Sequence, residues 1–399
     1  MPPREVHLVG GTPWEAMLLA PVAVALRDAG LLEPVLVICG RRLAATRRVL
    51  AAFGLSPDVR VPPPAPVSVD ADPRGVMMQR LDALWATRTP AAVIVPGRAL
   101  AGEAAPTGLA AALAAHWRRV PVVQLDAGER RADLADTLAD DADRRLAAQV
   151  TTIHLTATPN AAMNLLDERV PAGDVLVTGS TAVDAAVAVA GRRLRYETSA
   201  VATARSGPAR PLMLVVARHP QTRGAALEGV LTAVRALVQR RTDMEVVMLR
   251  PPGPAAREHA GRLLGDLDRV TVLTALSHAD LCRLVSEASL LVSDVGDLVP
   301  LAPSFGVPVL SLRWSDDLPE ALHAGCARLV PCETAQIVAH ADDLLDSPVR
   351  RDAMTAGGNP YGDGLAGRRA AQASAALLGL AAPPEPMPSP GTVPFGATA

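Results

Sequence analysis

The stretch Leu290–Gly325, LLVSDVGDLVPLAPSFGVPVLSLRWSDDLPEALHAG, decides the fold. It reads as an apolar strand at Leu290–Val292, a loop with Gly296, a helix opening near Leu298, a second strand at Pro308–Leu312 and a polar loop. Short apolar runs separated by a helix are what parallel strands in a doubly wound α/β sheet require. Ligands of such sheets lie beyond the carboxyl ends of the strands, and a loop feeding a helix N-terminus suits an anion. Yet the helix opens on Leu298, Val299, Pro300 and Leu301, which offer little to grip one.

Working outward, the same alternation fills the chain. Val6–Val9 ends in Gly10-Gly11-Thr12 before an apolar-periodic helix, and further strands are expected at Pro34–Ile38, Ala92–Val95, Val120–Leu125, Ile153–Thr156 and Val175–Thr178. A second series follows at Leu212–Val216, Glu245–Leu249 and Val270–Leu273. Between the series, Leu194–Arg210 is polar, rich in small residues and weakly periodic, so it reads as a linker. The expected organisation is an N-terminal Rossmann-like domain at 1–193, a linker at 194–210 and a second Rossmann-like domain at 211–358. A crossover and last helix occupy 359–380, and a Pro-rich tail at 381–399 is expected to be disordered. A late helix is expected at Ala335–Leu345, with Thr334 as its N-cap.

Composition narrows the function classes. With 399 residues and 49% hydrophobic content, the chain is long enough for two cores. A net charge of -2 gives no electrostatic case for nucleic acid or an anionic membrane. Lysine is absent, so arginine carries all the basic charge apart from histidine, a pattern that GC-biased codon usage explains. The cysteines Cys39, Cys282, Cys326 and Cys332 lack CxxC spacing, which indicates neither a zinc site nor a disulfide framework. The N-terminus lacks the pattern of a signal peptide, and no apolar run approaches the ~18 residues of a membrane helix. A soluble, cytoplasmic protein with no metal or cofactor is therefore expected.

Several motifs resemble the non-hydrolysing UDP-N-acetylglucosamine 2-epimerases over roughly residues 5 to 380. Gly11-Thr12, Glu15-Ala16 and Ala20-Pro21 match that family's GTRPEA and AP, and Asp126-Ala127-Gly128 matches its EAG. Thr178–Ala185 reads TGSTAVDA against TGNTVIDA. Ala302-Pro303-Ser304-Phe305-Gly306 with Pro308-Val309-Leu310 follows EAPSLGKPVL, and Asn359–Gly364 is NPYGDG letter for letter. The resemblance implies two Rossmann-like domains facing across a cleft in a GT-B-like arrangement, with the C-terminal helix returning towards the N-terminal domain. It also implies a UDP-sugar ligand and a homodimer.

The family reaction inverts C2 of the sugar by eliminating and re-adding UDP, which needs an acid, a base and groups that take charge on the leaving diphosphate. The family's catalytic glutamates fall on Asp126 and Asp140, each one methylene shorter, and its functional histidine falls on Arg218, with His219 one place later. Gly11, Thr12, Arg98, Arg130, Gly296, Arg313 and Glu320 are the implied substrate-binding positions.

Other positions depart from the pattern. The first-loop arginine is Pro13, the aspartate of the loop after Val95 is replaced by Arg98, and the phosphate serine is Val295. The glutamate pair is Pro300 and Leu301, and Asp297 stands where a glycine turns beside phosphate. A carboxylate about 4 Å from a phosphate charge costs on the order of 4 kcal/mol at an effective dielectric near 20.

Three readings follow. The first is a family member with lost or altered catalysis that acts by binding, alone or in a heteromer with an intact homologue. The second is an active epimerase on an altered UDP-sugar, with Asp126 and Asp140 as acid and base. The third is a GT-B glycosyltransferase.

Overall fold

A computed structural model describes residues 4–40, 42–62, 73–97, 107–130, 138–207, 210–312 and 319–388. Among them the chain divides into two compact units, one comprising residues up to Ala185 together with Tyr361–Pro388, the other spanning Ala186–Pro360.

The first unit holds a sheet of seven parallel strands: β1 (Arg4–Gly10), β2 (Leu32–Cys39), β3 (Val59–Val61), β4 (Ala92–Pro96), β5 (Val122–Ala127), β6 (Ile153–Thr156) and β7 (Val175–Val177). Their order is β3-β2-β1-β4-β5-β6-β7, so the winding reverses between β1 and β4. Strands β1, β2, β4 and β5 are buried almost throughout, which is why they read as unbroken apolar runs rather than alternating ones. The short edge strand β3 escaped the sequence reading because its three residues adjoin a Pro-rich segment. Helix Ala366–Leu377 returns to this unit and packs on helix Pro13–Ala29. Gly367 permits the approach, since a Cβ there would stand 2.9 Å from the Pro21 backbone.

The second unit holds six parallel strands: β8 (Leu212–Val216), β9 (Glu245–Leu249), β10 (Val270–Leu273), β11 (Ala288–Ser293), β12 (Val309–Ser311) and β13 (Ala327–Leu329). They run in the order β10-β9-β8-β11-β12-β13, reversing between β8 and β11. Helices Ala225–Arg240 and Thr334–Asp346 cover one face, with Leu231, Val234, Leu237, Ile337 and Leu344 in the core.

Four local expectations change. Residues 194–210 contain a helix, Ser199–Ala204, and pack on the second unit instead of running free. The Asp280 carboxylate accepts the Glu197 and Thr198 N–H groups at 2.8 Å each, the Tyr196 hydroxyl donates to Glu287 at 2.7 Å, and Arg205 pairs with Glu245. Thr334 is not an N-cap, because Glu333 holds that place and the Thr334 hydroxyl donates to Gly229 O. The helix expected from Leu298 is a 3₁₀ helix, Gly296–Phe305, whose interior Pro300 and Pro303 lack the N–H groups that α-helical bonding needs. Finally, residues 381–388, expected to be disordered, lie against the first unit, with the Met387 N–H bonded to Val177 O.

Candidate functional site

In the first unit, Gly11-Thr12 after β1, Gly97 after β4, Gly128 after β5 and Thr178-Gly179-Ser180 after β7 lie at the carboxyl edge of the sheet. Gly11 and Thr12 follow β1, at the reversal where such sheets take ligands. Their N–H groups face inward to the chain's own carboxylate: Glu15 accepts from Gly11 N at 2.6 Å and from Thr12 N at 2.8 Å. The Thr12 hydroxyl in turn accepts from Glu15 N, which closes a capping box on helix Pro13–Ala29. Both N–H groups, at positions the resemblance assigns to substrate binding, are thus engaged by Glu15. The T-x-x-E spacing was the sequence signal for this, and it passed as a family motif only.

Asp126, the next-to-last residue of β5, has φ +47°, a left-handed conformation that costs a non-glycine residue about 1 kcal/mol or more. Its side chain is 5% exposed, and its Oδ2 accepts the Ser180 hydroxyl at 2.9 Å. Ser180 lies in the TGS turn after β7, so a residue quoted only as part of a motif holds the candidate acid or base. The Arg130 guanidinium forms two bonds to Glu168, at 2.8 and 2.6 Å. Asp140 falls within helix Leu138–Val150, its side chain outside the described residues, as is all of Arg98.

The TGSTAVDA and NPYGDG motifs meet in the structure, and they build an anchor. The Asp184 carboxylate accepts the N–H groups of Ala366 and Gly367 at 3.2 and 2.7 Å, and burial raises its pKa to about 7. Ser180 N donates to Tyr361 O at 2.7 Å, while Arg369 bonds both Asp363 oxygens and Thr178 O. In the second unit, the Asn359 amide donates to Pro300 O and the Ser304 hydroxyl, which pins the 3₁₀ helix. Apart from the Ser180 hydroxyl, which reaches Asp126, the polar groups of these motifs hold backbone in place.

At the reversal of the second sheet, Asp294 follows β11 and is 1% exposed. Its two oxygens accept the N–H groups of Arg218 and His219 at 2.9 Å each, so one carboxylate ties the loop after β8 to the loop carrying Gly296. The Arg218 side chain is exposed and His219 is half-buried, with its Nδ1 accepting Gln221 N at 3.3 Å. Arg250 at the end of β9 is a buried cation that the sequence reading did not single out; burial, then the neighbouring charge of Arg257, lowers its pKa. Glu320 opens helix Pro319–His323, and Arg313 lies outside the described residues. Gly296, Asp297, Leu298, Val299, Pro300 and Leu301 are all buried in the 3₁₀ helix. Among the described residues, no cluster of histidine, cysteine, aspartate and glutamate is arranged to hold a metal ion.

Two parallel α/β units with ligand edges at their sheet reversals, and a C-terminal helix returned to the first helix, define a GT-B-like protein. Within that class the chain belongs to the UDP-N-acetylglucosamine 2-epimerase family, whose description matches residues 24–375. The chain is 29% identical over 374 residues to the UDP-N-acetylglucosamine 2-epimerase of Escherichia coli K12, a match covering 92% of this chain and 98% of that one. Among solved structures it is similar to S. aureus MnaA in its co-structure with UDP, with TM-score 0.83, 26% identity, and 96% and 100% of the two chains covered. It is also similar to the Neisseria meningitidis UDP-GlcNAc 2-epimerase bound to UDP-GlcNAc, with TM-score 0.79, 26% identity, and coverage of 91% and 97%.

Proposed function

We propose that this family member serves sugar-nucleotide metabolism by binding a UDP-sugar, and that the standard C2 inversion has been lost. The observation that carries this reading is the 3₁₀ helix Gly296–Phe305. The positions that the resemblance assigns to ribose recognition are Pro300 and Leu301, both buried, and Asp297 adds a buried carboxylate at the helix's first turn. Pro300 and Leu301 offer no side-chain partner for ribose, and Asp297 repels a phosphate charge by on the order of 4 kcal/mol at about 4 Å and an effective dielectric near 20, so the diphosphate is poorly stabilised as it leaves. The same reading gives the protein a cytoplasmic place and a dimeric state, either with itself or with an intact homologue.

Asp126 favours a second reading. A buried carboxylate held in a left-handed conformation at the ligand edge is the kind of strained residue that active sites retain. On this reading Asp126 is the acid or base of an altered epimerase. Calorimetric titration with UDP and UDP-N-acetylglucosamine, followed by measurement of solvent deuterium entering sugar C2, separates the two. Heat of binding without deuterium supports the binding role, whereas incorporation abolished by Asp126→Asn supports the enzyme. No heat at millimolar ligand rejects both as stated.

A further inference from the structure

The segment Ala381–Pro388 lies beyond the part of the chain matched to the family, which ends at residue 375. Its composition, with prolines at 383, 384, 386 and 388, argues for disorder only while no surface receives it. Each proline fixes φ near −65°, so the unbound segment has few conformations to lose and docking costs it little entropy. It is also short of N–H donors, and one of the few, at Met387, is used: it donates to Val177 O at 2.8 Å. Val177 ends β7, an edge strand whose outer side needs such a partner. At the other end of the segment, the Gln372 amide donates to Ala382 O at 3.1 Å.

The Met387 side chain is buried against Gly179, whose φ is +85°. A Cβ on Gly179 would stand 2.9 Å from Met387 Sδ and 3.2 Å from Gly362 Cα, so the sulfur and the NPYGDG backbone together fill the open face of that glycine. The next residue is Ser180. Its N–H is held by Tyr361 O and its hydroxyl reaches Asp126 Oδ2. The turn is thus gripped by Tyr361, by Arg369 through Thr178 O, and by Met387.

We propose that Ala381–Pro388 is a strap that positions the candidate site, with Met387 as the positioning residue that fixes the 178–180 turn and thereby the Ser180 bond to Asp126. The proposal rests on reading Asp126 as the site's carboxylate. Without Met387, Gly179 regains conformational freedom and the aim of the Ser180 hydroxyl loosens, with Tyr361 and Arg369 left to hold the turn.

The test uses the full chain, Met387→Ala, Met387→Leu, and a chain ending at Pro388. Local amide hydrogen exchange is measured at 178–182, alongside thermal melting and titration with UDP-N-acetylglucosamine. Met387→Ala is expected to raise exchange at 178–182 by roughly tenfold or more, with amides of the second unit unchanged. Met387→Leu, which keeps the volume and apolarity, and the chain ending at Pro388 are expected to match the full chain. Where nucleotide binds, Met387→Ala weakens it and Ser180→Ala adds little further, because both act through one bond.

Unchanged exchange at 178–182 in Met387→Ala would overturn the proposal. So would loosening spread evenly over the first unit, or a Met387→Leu variant as loose as Met387→Ala. A full chain that binds no nucleotide counts against the proposed function alone, since the exchange measurement reads the strap without ligand.

Discussion

Replacing Asp294 with asparagine changes little in shape and much in bonding. The native carboxylate is almost fully buried and accepts two backbone N–H groups, from Arg218 and His219, at 2.9 Å each. An amide supplies one acceptor and one NH₂, so one of the N–H groups must then face a donor. A hydrogen bond to a charged partner contributes about 1.5–3 kcal/mol, and a buried N–H left unsatisfied costs about 1–3 kcal/mol. The loop after β8 should therefore lose roughly 3 kcal/mol of local stability, or about a hundredfold in its opening equilibrium. Hydrogen exchange by mass spectrometry, with peptides covering 217–222 in the second unit and 122–128 in the first, reads this directly. The expected result is exchange about a hundredfold faster in the former and unchanged in the latter. Exchange at 217–222 within threefold of the native chain would refute the claim that Asp294 organises this edge.

Glu15→Ala should lower the melting temperature of the first unit by about 5–10 °C, since it removes both N–H partners of the Gly11-Thr12 turn together with half of a capping box. Two buried groups should titrate in opposite directions. Burial lowers the His154 pKa from 6.5 to about 4, so stability is lost as pH falls between those values, by up to about 3 kcal/mol, and His154→Gln should flatten that slope in acid melts. Asp184, raised by burial from 3.8 to about 7, favours its protonated form, so its contribution is lost as pH rises through about 7. Asp184→Asn should remove that loss, which runs between about pH 4 and pH 7, and an unchanged profile would show that its carboxylate is not the titrating group.

Most of the fold was legible because both sheets are built from buried parallel strands, whose apolar runs announce themselves without any partner. The runs at Leu8, Leu36, Ile94, Leu214 and Leu291 needed no tertiary information. What escaped depends on partners distant in sequence. Helix Ser199–Ala204 is fixed by Asp280, and the strap is fixed by Val177 and Gly179. Strand β13 is three residues long, too short for a pattern of its own. The 3₁₀ helix was read as an ordinary helix start, although Pro300 and Pro303 already argued against continued α-helical bonding.

The candidate site was less legible still. Asp126 was found through its motif, but its conformation and its bond to Ser180 are tertiary facts. Arg130 was read as a ligand residue from its motif, and its pairing with Glu168, 38 residues later, had no signal in the sequence. Gly11 and Thr12 were read as substrate-binding positions, and their N–H groups are held by Glu15. In each case a polar group suited to a ligand is also suited to the protein itself, and sequence spacing alone does not choose between them.

The central claim is binding without C2 inversion, and the most direct measurement is deuterium incorporation at C2 of UDP-N-acetylglucosamine in heavy water. It is made on protein shown by calorimetry to bind the nucleotide. The account predicts measurable heat and no deuterium above the protein-free control. Deuterium at C2 that disappears in Asp126→Asn would contradict it and establish a working epimerase.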